Sequence, residues 1–247
     1  MKTPILYLFL LIVILSCEKE NKLIFEPISL NNPHCNDCAL VTVEYPKVLN
    51  DGKIGRTINT ALAEEIIYTL NFNEDQSASD VNNAISSFQK EFGELREKYV
   101  EETTPWEATI KCTVSYEDDN VLTIKLESYL FTGGAHGYST IHFLNFDKVK
   151  GIELDNSQLF KDKEKFIAFA ETKFREQEKI PISQPINSTG FMFESETFNL
   201  PENIGYTQDG LQLFYEQYEI ASYADGPIIL TLPYPELKDF LVFIEKY

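Results

Sequence analysis

The chain holds little from which a reactive centre is built. Only three histidines occur in its 247 residues, His34, His136 and His142. It has no G-x-S-x-G nucleophile elbow, no H-E-x-x-H zinc helix and no G-x-x-x-x-G-K-[ST] phosphate loop. Hydrolysis needs a nucleophile with a base, paired carboxylates or a metal. The expectation is therefore a binding protein with no catalytic residue, no cofactor and no metal. His136 and His142 share a strand face only if the strand reaches back that far, and loop and surface roles suit them better. Basic residues are also few: 21 Lys and Arg stand against 39 Asp and Glu, a formal net charge of −18. That balance argues against nucleic acid and bare anionic membrane as partners, and it steers a cationic partner inward. Beyond residue 15 no apolar run is long enough to cross a bilayer.

What the N-terminus does have is Lys2, an apolar stretch from Pro4 to Leu15, and then Ser16-Cys17. A charged lead, a short apolar core and a small residue at the cut read as an export signal. A cysteine just after the small residue resembles the bacterial lipobox. The resemblance implies cleavage before Cys17, acylation of that residue and attachment to the membrane through acyl chains, each buried methylene contributing about 0.8 kcal/mol. The expected location is the cell envelope, periplasmic or surface-exposed at the outer membrane. Residues 18–26 read as a tether, and their acidic residues resemble the surface-export signal of Bacteroidetes lipoproteins. Three further cysteines remain: Cys35, Cys38 and Cys112. Export implies an oxidising compartment, where disulfides persist. A redox C-x-x-C should open a helix, and a zinc site needs about four ligands, so a structural disulfide is favoured. Cys35–Cys38 is the simplest pairing, and Cys38–Cys112 is the rival.

The pattern along the chain alternates between helical and strand periods. Residues 39–45 read as a strand stopped by Pro46. Ile54, Ile58, Leu62 and Ile66 then recur every four residues, as one buried helical stripe. Val81, Ile85, Phe88, Phe92, Leu95 and Tyr99 form a second stripe, with Ser79 as its expected N-cap. Ile110, Cys112, Val114 and Tyr116, and then Leu122, Ile124, Leu126 and Ser128, alternate with polar residues as a long antiparallel hairpin. After a glycine-rich break at 132–137, residues 138–147 read as a strand and 163–179 as a helix. Strands follow at 204–207, 211–218 and 228–232, and a last helix is expected from Pro235, with Leu237, Phe240, Leu241 and Ile244 on its apolar side. Strict period two lets helices cover one sheet face only, so the predicted class is α+β: two modules of antiparallel sheet, each with helices packed on one face. The predicted division is signal peptide 1–16, tether 17–26, N-terminal module 27–135 and C-terminal module 136–247.

Aromatics and carboxylates crowd together near Phe214-Tyr215-Glu216-Gln217-Tyr218-Glu219 and Tyr223. Tyr218, Tyr223 and Glu219 are the candidate partner-binding residues, since tyrosine beside acid suits a patch that meets a basic protein. The stretches Asp209-Gly210-Leu211-Gln212-Leu213-Phe214, Tyr218 to Gly226 and Thr231-Leu232-Pro233-Tyr234-Pro235-Glu236-Leu237 resemble the closing strands and helix of RsiV-type extracellular domains. Those domains belong to lysozyme-sensing anti-sigma factors and recur in the non-catalytic region of the PdaC peptidoglycan deacetylase. Tyr129 to Gly137 resembles the glycine-rich signature joining the family's two modules, and Val43-Glu44-Tyr45-Pro46 with Ile58-Asn59 resembles the module before it. The resemblance implies two α+β modules outside the membrane that bind and do not catalyse. It implies a cationic protein such as lysozyme as partner, with peptidoglycan binding or modification as the alternative. Ser222 stands where the family often has proline before the tyrosine, which loosens that loop. No cytoplasmic sigma-binding segment is recognisable, so direct anti-sigma signalling is not implied.

Overall fold

In a computed structural model, residues 22–31, 38–71, 78–99 and 104–243 are described. A six-stranded sheet places β1 (Phe25–Asn31), β2 (Leu40–Val48), β3 (Glu107–Glu117), β4 (Val121–Phe131), β5 (Tyr138–Asp147) and β6 (Ile152–Glu153) side by side in that order. Neighbouring strands are antiparallel except β2 and β3, which are parallel. A parallel pair needs a long crossover, and α1 (Lys53–Leu70) and α2 (Val81–Lys98) supply it. Their stripes, Ile58, Leu62 and Ile66 of α1 with Val81, Phe88 and Phe92 of α2, bury Val41, Val43, Ile110, Ile124, Leu144 and Phe146 in a first core. Trp106 is buried against the rings of Phe88 and Phe92, with centroids 5.4 and 5.8 Å away. Each such fully buried side chain contributes about 2 kcal/mol.

Several local expectations are corrected. The N-cap of α2 is Asp80, whose carboxylate accepts from the Asn83 amide at 2.9 Å, while Ser79 donates its hydroxyl to Asp80. The chain read as a tether through residue 26 enters β1 at Phe25. β2 runs through Pro46 because β3 pairs with it only over Leu40–Glu44, and Pro46 lies opposite Pro27 of β1. Two facing prolines suit a pair that exchanges no backbone hydrogen bonds.

The hairpin's alternation changes sense inside β3. The register with β4 shifts between Val114 and Tyr116, so Ser115 is an extra residue. Cys112 stays in the helix-covered core, whereas Tyr116 crosses to a second core on the other side. That second core receives α3 (Lys163–Glu178) and a three-stranded sheet of β7 (Asn203–Tyr206), β8 (Leu211–Tyr215) and β9 (Ile228–Leu232). Asn145 of β5 donates its amide to the Ile204 carbonyl at 2.8 Å, and the Ser115 hydroxyl donates to the Tyr206 carbonyl at 2.8 Å. The fold is α+β, and the 135/136 boundary falls between β4 and β5, two strands of one sheet.

The last expected helix does not form among the described residues. Tyr234–Glu236 is a single 3₁₀ turn. Residues 159–161 instead claim the backbone that follows: Lys161 donates to the Phe240 carbonyl and Val242 to the Leu159 carbonyl, which makes an isolated bridge of Phe160 and Leu241. Leu237 and Leu241 are still fully buried and Phe240 packs half-buried against the second core, while Ile244 lies outside the described residues.

Candidate functional site

The glycine-rich link 132–137 brings the first module's strands beside the loop that follows β8. Gly133 and Gly134 hold φ of 102° and 88°, values open to glycine. At Gly137 a Cβ would sit 2.5 Å from the ring of half-buried Tyr129, so a side chain there would require that ring to move. This places the His136 ring in a stack on Tyr223, with centroids 4.5 Å apart, and Tyr223 against Tyr218 at 5.5 Å. Tyr218 is 62% exposed and sits in the left-handed region at φ 69°. A bulky residue held there is strained, and such strain collects at functional sites.

Carboxylates border this row. Glu219 accepts from the Glu216 backbone amide at 2.7 Å, and Glu216 accepts from the Ile141 amide on the free edge of β5 at 3.1 Å. Burial against the protein raises both carboxyls above the usual carboxylate range. The Tyr138 hydroxyl is pushed up as well, by burial first and then by Glu216 and Glu219. Next to the row lies a cleft of about 460 Å³, lined from α1 by Glu65, Tyr68 and Thr69, from β5 by His142, and from the second module by Glu202, Asn203 and Glu216. His142 Nδ1 meets Glu65 Oε1 at 2.7 Å, and that hydrogen bond raises the imidazole pKa.

Of the expected site residues, Tyr218 and Tyr223 are in ring contact, and Glu219, next to Tyr218 in the chain, accepts from the Glu216 amide. His136 and His142 are not brought together: one stacks on Tyr223 and the other pairs with Glu65. Cys17 and Cys35 lie outside the described residues, and with Cys35 the Cys35–Cys38 pairing. The rival Cys38–Cys112 bond is ruled out. Cys112 is a free thiol buried under the helices, and burial pushes it up to about 12. In the sheet register Cys38 precedes Leu40, the partner of Glu107, so Cys112 lies roughly 20 Å further along β3 at about 3.3 Å per residue. A disulfide tolerates Cα separations of about 7 Å at most. Sequence reasoning missed Glu65, Asn203 and Tyr138 and gave His142 a loop or surface role; the four lie far apart in the chain. Their only signal is Tyr138 and His142 in a strand next to the glycine-rich link.

The architecture is that of a two-part α+β domain in which a helix-covered sheet is continued by a smaller sheet. Sequence comparison matches residues 34–139 to the family model of deacetylase PdaC and residues 157–235 to that of a protein of unknown function, DUF3298. The two matches follow one another along the chain and agree with the resemblance to the RsiV/PdaC-type domain. A crystal structure of a DUF3298 family member from Bacteroides fragilis superposes with a TM-score of 0.67 at 20% identity, covering 90% of this chain and 94% of that one. A DUF3298 family protein from Pseudomonas aeruginosa gives 0.63 at 21% identity, covering 90% and 95%. At this identity the likeness concerns the fold. No curated protein matches the sequence.

Proposed function

We propose that this is a non-enzymatic binding protein of the cell envelope, held to the membrane through acyl chains on Cys17, and that it captures a cationic protein such as lysozyme. The observation that carries the reading is the row of exposed His136, half-buried Tyr223 and exposed Tyr218, the last on strained backbone, bordered by Glu216 and Glu219. Exposed tyrosines anchor protein interfaces, and a formal charge of −18 speeds encounter with a basic partner. Binding to hen lysozyme at low and moderate salt tests it. Tyr223→Ala is expected to weaken capture by roughly 30-fold, the size of an interface hot spot. Absence of binding at low salt removes lysozyme as the partner. Retention on insoluble peptidoglycan in the same experiment favours the wall polymer instead. Labelling of the expressed chain with a palmitate analogue, lost in Cys17→Ala, tests the anchor.

A further inference from the structure

The cleft beside the aromatic row is acceptor-rich, and its own donors are largely engaged. The Ser128 and Thr140 hydroxyls bond each other at 2.7 Å, Thr69 donates to the Glu65 carbonyl at 2.9 Å, and His142 Nδ1 is paired with Glu65. Glu65, Glu202 and Glu216 line the cleft, and no lysine or arginine does so among the described residues. Two oxygens on residues that line the cleft are shielded from solvent and have no hydrogen-bond partner: Glu216 Oε2 and Asn203 Oδ1. They are neighbours, since Asn203 Nδ2 reaches Glu216 Oε1 at 3.4 Å. A buried acceptor left unsatisfied costs about 1–3 kcal/mol. An anionic ligand would meet like charge, and an apolar one would leave both oxygens orphaned. A planar guanidinium, with five donors in a fixed fork, answers a carboxylate and an amide oxygen together.

The geometry points to this cleft as the seat of one arginine side chain presented by the cationic partner, received by Glu216 and Asn203 as their side chains turn towards it, while the tyrosine row grips the surrounding surface. This deepens the proposed capture of a basic protein and rests on it for the partner's identity. Two features agree. Glu65 is already paired with His142, which leaves Glu216 and the exposed Glu202 as the charges facing an incoming cation. Burial holds the Glu216 carboxyl above its ordinary 4.5, an unfavourable state that a seated guanidinium reverses.

The test uses the full chain, isotopically labelled for NMR, titrated with N-acetyl-arginine N-methylamide and, in parallel, with the neutral isostere N-acetyl-citrulline N-methylamide. The expected result is that the arginine probe shifts the Asn203 side-chain amide and the Ile141 backbone amide, and that the citrulline probe does not. Glu216→Gln, which keeps an acceptor for the Ile141 amide, should weaken the arginine probe by roughly tenfold, in line with a charged hydrogen bond. Glu94→Gln, an equal loss of charge on exposed α2, should leave it unchanged. Equal responses to both probes, no movement at Asn203 and Ile141, or equal weakening by Glu216→Gln and Glu94→Gln each overturn the assignment. The two readings fail separately. Lysozyme capture that is lost in Tyr223→Ala but unaffected by Glu216→Gln sinks the arginine seat alone. A probe that seats in the cleft of a chain that captures no basic protein sinks the partner reading alone.

Discussion

Gly205 is confined to hydrogen by a ring: a Cβ there would lie 2.2 Å from Phe143, whose side chain reaches across from β5. Gly205→Ala should therefore destabilise the protein by about 1–3 kcal/mol, the usual cost of overpacking, read as a lower urea midpoint at unchanged slope. Tyr218 makes the converse case. Its left-handed backbone costs about 1–2 kcal/mol for a residue with a Cβ. Tyr218→Gly should leave stability unchanged or higher in the same urea titration while weakening lysozyme capture. A variant that loses stability would show that the ring's packing, and not docking, holds it there. The sequence made Tyr218, Tyr223 and Glu219 visible because aromatic and acidic residues cluster locally. It hid Glu65 and His142, because their 2.7 Å contact exists only once α1 has packed over β5.

Among the elements, the three helices were legible because each carries an apolar stripe at helical spacing. Phe166, Ala170 and Phe174 of α3 are all fully buried. Phe174 touches the rings of Phe191, Phe193, Phe198 and Tyr215, with centroids 5.0 to 5.9 Å away. Phe174→Ala should cost about 3–5 kcal/mol by calorimetry or denaturant, because the surrounding rings cannot close the cavity. β1 and the continuation of β2 past Pro46 were not legible. Proline normally ends a strand, and only the pairing of Pro27 with Pro46 makes it harmless. The extra residue at Ser115 was hidden for a similar reason. The residue types keep alternating through the register shift, so nothing local marks the change of face. The closing segment was lost to competition: after a turn closed by the Phe240 and Leu241 amides on the Leu237 carbonyl, the Phe240 carbonyl and the Val242 amide bond to Lys161 and Leu159.

For the whole molecule, β3 and β4 serve both cores. Val121 and Tyr116 belong to the second core, while Leu122, Ile124, Leu144 and Phe146 belong to the first. The Thr123–Asn145 side-chain pair is buried between the two parts at 2.7 Å. Thermal unfolding should then be a single transition, with calorimetric and van't Hoff enthalpies agreeing, and a chain ended after residue 155 should be insoluble. The acidic cleft adds a dependence on pH. His142, Glu153, Glu216 and Glu219 all have folded-state pKa values raised above the ordinary 6.5 or 4.5. A raised value means that the stability each group contributes is present below its ordinary pKa and is lost as pH rises through the folded one. Stability should thus fall from about pH 4.5 upward through the histidine range. His142→Gln should flatten the upper part of that curve and Glu216→Gln the lower part.

The bulge at Ser115 decides which core receives the end of β3. Were Ser115 to take a regular place opposite Thr123, Tyr116 would fall opposite Leu122 and Glu117 would move to the other face, pushing a phenol under the helices and a carboxylate towards the aromatic interior. Homologous chains can be expected to vary freely in length through the glycine link, yet to keep the aromatic at Tyr116 on the face opposite Cys112, through this bulge or through a strand one residue shorter.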